Sequence, residues 1–390
     1  MKDYVIISGL ILDDNNLGTA ALGYGAFSFL NIEKQLSDYK IIKINFFRNL
    51  WRYRNKKSVV QQVKIGGDIF DVETVHIFFL YYWFISLFKK KTPFGRLSDI
   101  LKRTEYVAAI NGGDGFSDIY GTKTFKSRLM DTNLAMICKI PLIELPQTLG
   151  PFSTPSNYKL AERILKYSSK VYVRDLAFKQ ELDKMGVQYE LCKDLSYYMQ
   201  PEKIDDLEIL PKSVGLNVSG LAYSNKFRAL SNKFDNYPFF IEKIINMFQE
   251  KNIPVYLVSH SYNYITPETN NDDLEANKAV YHSLKNKKGV YLVDKKLTSP
   301  QTKYMISQFD FFIGTRMHAC FAAIYTQTPV LGLAYSYKFK YAFNQYGLDK
   351  YIVDIVDLER ENIALLLSEI VSFYERRNEI KEKLNNIDGE

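Results

Sequence analysis

The sequence predicts an α/β fold built as two doubly wound, Rossmann-like halves. Three observations carry that expectation. Short apolar runs that read as buried strands alternate with helix-period segments along the chain. Residues 311–334 read as strand, glycine turn, helix and strand, a βαβ unit that implies a parallel sheet. Residues 201–212, polar and proline-bounded at Pro201 and Pro211, lack an apolar period and read as a linker. A length of 390 residues is long for one core and suits two domains. The expected division is 1–200, the linker 201–212, a second domain 213–358 and a C-terminal amphipathic helix 359–390, with a cleft between the domains.

Composition narrows the class. A net charge of +7 suits anionic substrates or a membrane surface and falls short of a nucleic-acid binder. Cys138, Cys192 and Cys320 lack metal-ligand spacing and read as buried thiols in a reducing cytoplasm, so no metal is expected. The N-terminus is too short and acidic for a signal peptide and reads as a first core strand.

In chain order, residues 4–12 read as that strand. A polar turn with Gly18 at its junction and a helix over 20–36 follow. Such a turn can hold a phosphate or a sugar, and an ordinary βα loop fits as well. After a strand over 41–46 comes the basic stretch 48–57, then the apolar run 76–88, which ends in Lys89-Lys90-Lys91. Thirteen apolar residues fall short of the roughly 20 needed to span a bilayer. A buried helix fits, and so does an interfacial helix lying on anionic lipid. The strand over 105–110 ends in a glycine-rich turn carrying Asn111 and Gly113, which lets a ligand approach the backbone. The strand over 140–144 leads to Gln147, in a loop that Pro146 and Pro151 make rigid. Residues 170–173 end in Arg174, at a strand's anion position, and Asp175, a natural cap for a helix over 176–185. Arg174 binds an anion or pairs locally with Asp175.

The second half restarts with strands over 213–218 and 254–258, the latter leading to His260. Asn271, Asp272 and Asp273 follow a long polar loop, where Asp272 can cap the helix over 274–284. A strand over 289–293 and a helix opening at Ser299-Pro300 lead to the decisive stretch. Its strand (311–313) turns at Gly314 and releases Arg316 and His318 just before the helix over 319–326. Ligands of parallel sheets sit outside the carboxyl ends of the strands. There a fixed cation, an imidazole and a helix N-terminus suit a phosphate or carboxylate. The next loop adds Tyr335, Tyr337, Lys338 and Lys340.

Gly314-Thr-Arg-Met-His-Ala, followed by Pro329-Val-Leu-Gly-Leu-Ala-Tyr and Lys338, resembles the signature of the polysaccharide pyruvyltransferase family. That resemblance implies a GT-B-like arrangement. It also implies transfer of a pyruvyl group from phosphoenolpyruvate to a sugar of a bacterial cell-surface polysaccharide or its lipid-linked precursor. The enzyme would be cytoplasmic, with contact to the inner face of the membrane an option, and would use no cofactor beyond the donor. The donor's phosphate and carboxylate call for Arg316 and Arg174, with Lys338 assisting at the phosphate. His318 would act as general acid–base, since an imidazole reaches both proton states near neutrality. Gly314, Tyr335, Gln147 and His260 join the substrate-contacting set, and Gly18, Asn111 and Gly113 would face the acceptor sugar. The resemblance also implies that His260 with Asp272 and Asp273 binds the acceptor, the alternative being that Asp272 only caps its helix. Two alternatives stay open: a GT-B-type glycosyltransferase using a nucleotide sugar, and a non-catalytic polysaccharide-assembly protein. The turns at 16–18 and 111–118 match the family loosely, which leaves room for altered acceptor chemistry.

Overall fold

The computed structural model describes residues 3–54, 56–88, 95–227 and 230–386, the side chains of 53, 337, 338 and 341 excepted. By internal packing the chain divides into two units, Met1–Leu12 with Ala21–Gln200, and Asp13–Ala20 with Pro201–Glu390. The short segment that carries Gly18 therefore groups with the chain beyond residue 200.

The first unit holds an eight-stranded sheet in the order β3-β4-β2-β1-β5-β6-β7-β8. Its strands are β1 (Tyr4–Ser8), β2 (Lys40–Phe47), β3 (Val59–Ile65), β4 (Asp68–Phe78), β5 (Thr104–Ala109), β6 (Leu142–Gln147), β7 (Lys170–Val173) and β8 (Glu190–Leu191). All pairings are parallel except β3 against β4. Along β1, Tyr4 and Ile6 enter one apolar cluster while Val5 and Ile7 enter another. Side chains alternate across a strand, so a sheet with helices on both faces buries both sets.

The second unit holds a fully parallel six-stranded sheet in the order β11-β10-β9-β12-β13-β14. These strands are β9 (Val214–Asn217), β10 (Val255–Leu257), β11 (Val290–Leu292), β12 (Phe311–Gly314), β13 (Val330–Ala334) and β14 (Ile352–Asp354). From β9 the chain builds outward through β10 and β11, then returns to β12 on β9's other side. That reversal is the topological switch point, where the carboxyl ends of neighbouring strands diverge and leave a crevice. Asn217 and Gly314 end the two strands that flank it.

The α/β, doubly wound class is as expected, with local corrections. The run 76–88 is not one helix: β4 continues through Phe78, and a helix covers Phe79–Phe88. Nor is that helix buried in the core, since Ile85 is its one fully buried residue. Lys89-Lys90-Lys91 lie outside the described residues. The β3–β4 hairpin ahead of it was not expected. Asp175 does not cap a helix, because the helix opens at Lys179; its Oδ1 accepts from Ala177 N–H in a local turn. Tyr335 leads into a helix, Tyr337–Asn344, rather than a loop. The C-terminal amphipathic segment is two helices, Ile363–Glu375 and Arg377–Asn385, broken at Arg376. Ile370, Tyr374, Ile380 and Leu384 seat both in the second unit's core.

Candidate active site

The switch point of the second sheet is built on two buried polar residues. Asn217, at the end of β9, accepts from the backbone N–H of Arg316 (2.8 Å) and Thr315 (3.3 Å) through Oδ1. Its Nδ2 donates to the Val258 carbonyl (3.0 Å) and to Asp273 Oδ2 (3.2 Å). One side chain thus ties together the exits of β9, β10 and β12.

Asp273 is the second. It opens the helix Asp273–Ser283 and has no solvent exposure. Its carboxylate accepts from Gly220 N–H, His260 N–H and Ser261 N–H. It also takes Arg316, from Nε at 3.1 Å and from Nη2 at 2.7 Å. Arg316 Nη2 donates further to the carbonyl and Oδ1 of Asn271. Among the described residues, Nη1 has no hydrogen-bond partner. Burial works against the guanidinium charge, but Asp273, then Tyr335, outweigh it and raise its pKa. Arg316 is therefore a permanent cation held in one orientation. Asp272, next to Asp273 in sequence, caps the same helix by accepting from Leu274 and Glu275 N–H.

His318 stands two residues on, in the first turn of the helix Met317–Tyr325, whose N-terminus no side chain caps. Its ring meets Phe321 edge-on at 5.7 Å. Its other side lies against the helix Leu17–Lys34 at Gly18, where a Cβ would fall 2.6 Å from His318 Nδ1. Only a residue without a side chain admits the imidazole there. That turn is pinned to the second sheet, with Leu17 N–H donating to the His260 carbonyl and Ser299 Oγ donating to the Leu17 carbonyl. The first N–H groups of Leu17–Lys34 are taken by Asn16 and His260, whereas the helix Met317–Tyr325 presents an N-terminus that no side chain caps, with its partial positive charge, beside His318. His260 is buried, and its pKa is pushed down to about 3 by burial first, then by His318 and Arg316. It is a neutral imidazole at any physiological pH.

Of the residues expected from sequence, the second unit gathers Gly18, His260, Gly314, Arg316, His318 and Tyr335. Gly314 serves packing: a Cβ there would lie 2.5 Å from Cys320 Sγ. Tyr335 is half-buried, edge-on to Phe234. Lys338 is in the helix Tyr337–Asn344, and its side chain lies outside the described residues. The first unit gathers the others. Arg174 donates to Thr148 (3.1 Å) and Asp194 (2.8 Å) and lies near Asp175 (3.5 Å). Gly113 lies against it, and a Cβ there would come within 2.9 Å of Nη1. Gln147 is buried, accepting from Asn111 N–H and donating to Glu144. Sequence reasoning missed Asn217 as a site residue, and it met Asp273 only as one of an Asp pair that the family resemblance offers to the acceptor. The available signal for Asn217 was a polar residue ending an apolar strand.

No curated protein matches this chain. Among solved structures, one described as a UDP-N-acetylglucosamine 2-epimerase from Listeria monocytogenes is 10% identical and has a TM-score of 0.58. The match covers 98% of this chain and 90% of that one. A UDP-GlcNAc 2-epimerase from Neisseria meningitidis, bound to UDP-GlcNAc, is 11% identical over 98% of this chain and 94% of its own, with a TM-score of 0.51. At such identities the likeness is one of fold, and it agrees with the two-sheet, GT-B-like class. The polysaccharide pyruvyl transferase family, a family of transferases, matches residues 16–337. Because that match runs from the turn that holds Gly18 through the whole Arg316–His318 unit, the chain belongs to the polysaccharide pyruvyl transferase family.

Proposed function

We propose that this transferase takes its pyruvyl group from phosphoenolpyruvate and sets it as a ketal on two hydroxyls of one sugar. The sugar belongs to a cell-surface polysaccharide or its lipid-linked precursor. The observation that carries this reading is the Arg316–Asp273 pair, which precedes the uncapped N-terminus of the helix that bears His318. Phosphoenolpyruvate brings a phosphate and a carboxylate, and a fixed guanidinium with an uncapped helix N-terminus is the matching chemistry.

In the reaction, the donor's methylene carbon gains a proton and becomes a methyl group. The two sugar oxygens bond to the central carbon, and the bond from that carbon to the phosphate oxygen breaks. The two hydroxyl protons balance the equation, one going to carbon and one leaving with phosphate. His318 is the group that moves a proton, and Arg316 holds the anion. No redox partner or cofactor enters this balance.

A thermal-shift series tests it. A ligand at 100 times its dissociation constant adds about 2.7 kcal/mol. Phosphoenolpyruvate should stabilise the protein, Arg316→Ala should abolish that, and UDP or UDP-N-acetylhexosamine should have no effect. His318→Ala should lower the rate of phosphate release with acceptor by about two or more orders of magnitude. Stabilisation by the nucleotide alone would overturn the reading in favour of glycosyl transfer.

A further inference from the structure

The helix Phe79–Phe88 is apolar on its outward face as well as its inward one. It contains no charged residue; on its inner side Ile85 is buried, and Asn133 Nδ2 donates to Tyr82 Oη (3.1 Å) and to Ser86 Oγ (3.4 Å). The outward face is Leu80, Tyr81, Trp83, Phe84, Leu87 and Phe88, each at least 40% exposed. A surface helix normally turns a polar face outward, and a contiguous apolar face marks an interaction site.

A basic segment adjoins it. Arg48 stacks its guanidinium over the ring of Phe79 (4.7 Å). The short helix Leu50–Arg54 follows, with Trp51 77% exposed and Arg52 and Arg54 also exposed. Lys56 and Lys57 are exposed as well. His76, near the end of β4, is held below its usual range by burial and by the charges of Lys56 and Lys43. No acidic residue occurs between 48 and 66. Glu73 is buried and paired with Lys40 and Arg96. Asp68 and Asp71 belong to the far end of β4, about 20 Å or more from Phe78 at about 3.3 Å per residue. Both of the chain's tryptophans are exposed, Trp51 next to Arg52 in sequence and Trp83 on the helix whose Phe79 meets Arg48.

We propose that this patch seats the protein on an anionic lipid bilayer, the helix Phe79–Phe88 lying in the interfacial plane. Apolar side chains enter the headgroup boundary, tryptophans sit at headgroup depth, and the arginines and lysines meet lipid phosphates. Ten residues of helix cannot cross, and among the described residues no helix is long and apolar enough to do so. The seating needs no substrate, so it stands or falls separately from the reaction.

The test is co-sedimentation of the full chain with vesicles of equal parts phosphatidylglycerol and phosphatidylcholine, against phosphatidylcholine alone. Intrinsic fluorescence adds a direct reading, because both tryptophans lie in the patch. Expected are binding to the anionic vesicles at low salt with a blue shift, and loss of both at about 1 M salt, where screening falls to about 3 Å. Trp83→Ser with Leu87→Ser, and separately Arg52→Glu with Arg54→Glu, should each weaken binding at least about tenfold. These side chains are exposed, so melting temperatures should hold and show that the variants fold. Equal partition onto neutral vesicles, or binding indifferent to both pairs, overturns the proposal. So does a dimer in solution that Trp83→Ser dissociates, which would assign the patch to a second copy of this chain.

Discussion

Arg316 donates from Nε and Nη2 to a carboxylate, Asp273, that has no exposure to solvent. That carboxylate also accepts from three backbone N–H groups, so it sets the position of the cation and of the loops around it. Asp273→Ala should cost about 3–5 kcal/mol in chemical denaturation, the usual cost of leaving one member of a buried pair alone. Arg316→Lys keeps the charge and loses the fork. It should leave a folded protein whose KM for phosphoenolpyruvate rises about tenfold or more, consistent with one good charge-assisted bond. An unchanged KM would remove Arg316 from the donor site.

Gly18 offers a cleaner separation of activity from stability. It lies in the first turn of a helix at an ordinary backbone angle, so alanine suits the backbone there. The added methyl would meet His318 at Nδ1, Cγ and Cβ, all within 3 Å. The imidazole must therefore move as a whole. Gly18→Ala should hold its melting temperature to within a few degrees while kcat falls about tenfold or more, as displaced acid–base groups lose their geometry. Rates within twofold of the parent protein would show that His318 can shift without consequence.

What the sequence made legible follows a physical division. β7 and β13 match their expected bounds, because Arg174 ends the first and Pro329 precedes the second. Arg316 and His318 could be placed just past a strand's carboxyl end from sequence, because a βαβ unit puts such residues at that edge. Asp273 contacts Arg316 across 43 residues of chain, and no local pattern announces that pairing. Arg174 reads in sequence just as Arg316 does, at a parallel strand's end. The structure ties it to Asp194, Thr148 and Asp175, contacts that come from three separate loops. The β3–β4 hairpin did leave a trace in Gly66-Gly67, set between two β-branched runs, with Gly66 at φ +62°. Gly314 illustrates the opposite case, a glycine beside a site whose missing side chain makes room for Cys320 and Phe312.

Glu144 gives a pH dependence that involves no substrate. It is fully buried on β6, with Oε2 accepting from Gln147 Nε2 at 2.9 Å. Burial pushes its pKa up from 4.5 to about 8, the Gln147 bond opposing only in part. Between those values the folded protein keeps a proton that the unfolded chain releases. Stability from this group is therefore complete below about pH 4.5 and is lost as pH rises through about 8. The slope is at most about 1.4 kcal/mol per pH unit. Glu144→Gln retains the neutral shape and has no proton to lose. Denaturant midpoints at pH 5 and pH 8 should therefore fall for the parent protein and fall much less for the variant. A parallel fall in both would place the pH dependence in other groups, Asp131 first, since burial raises its pKa to about 6.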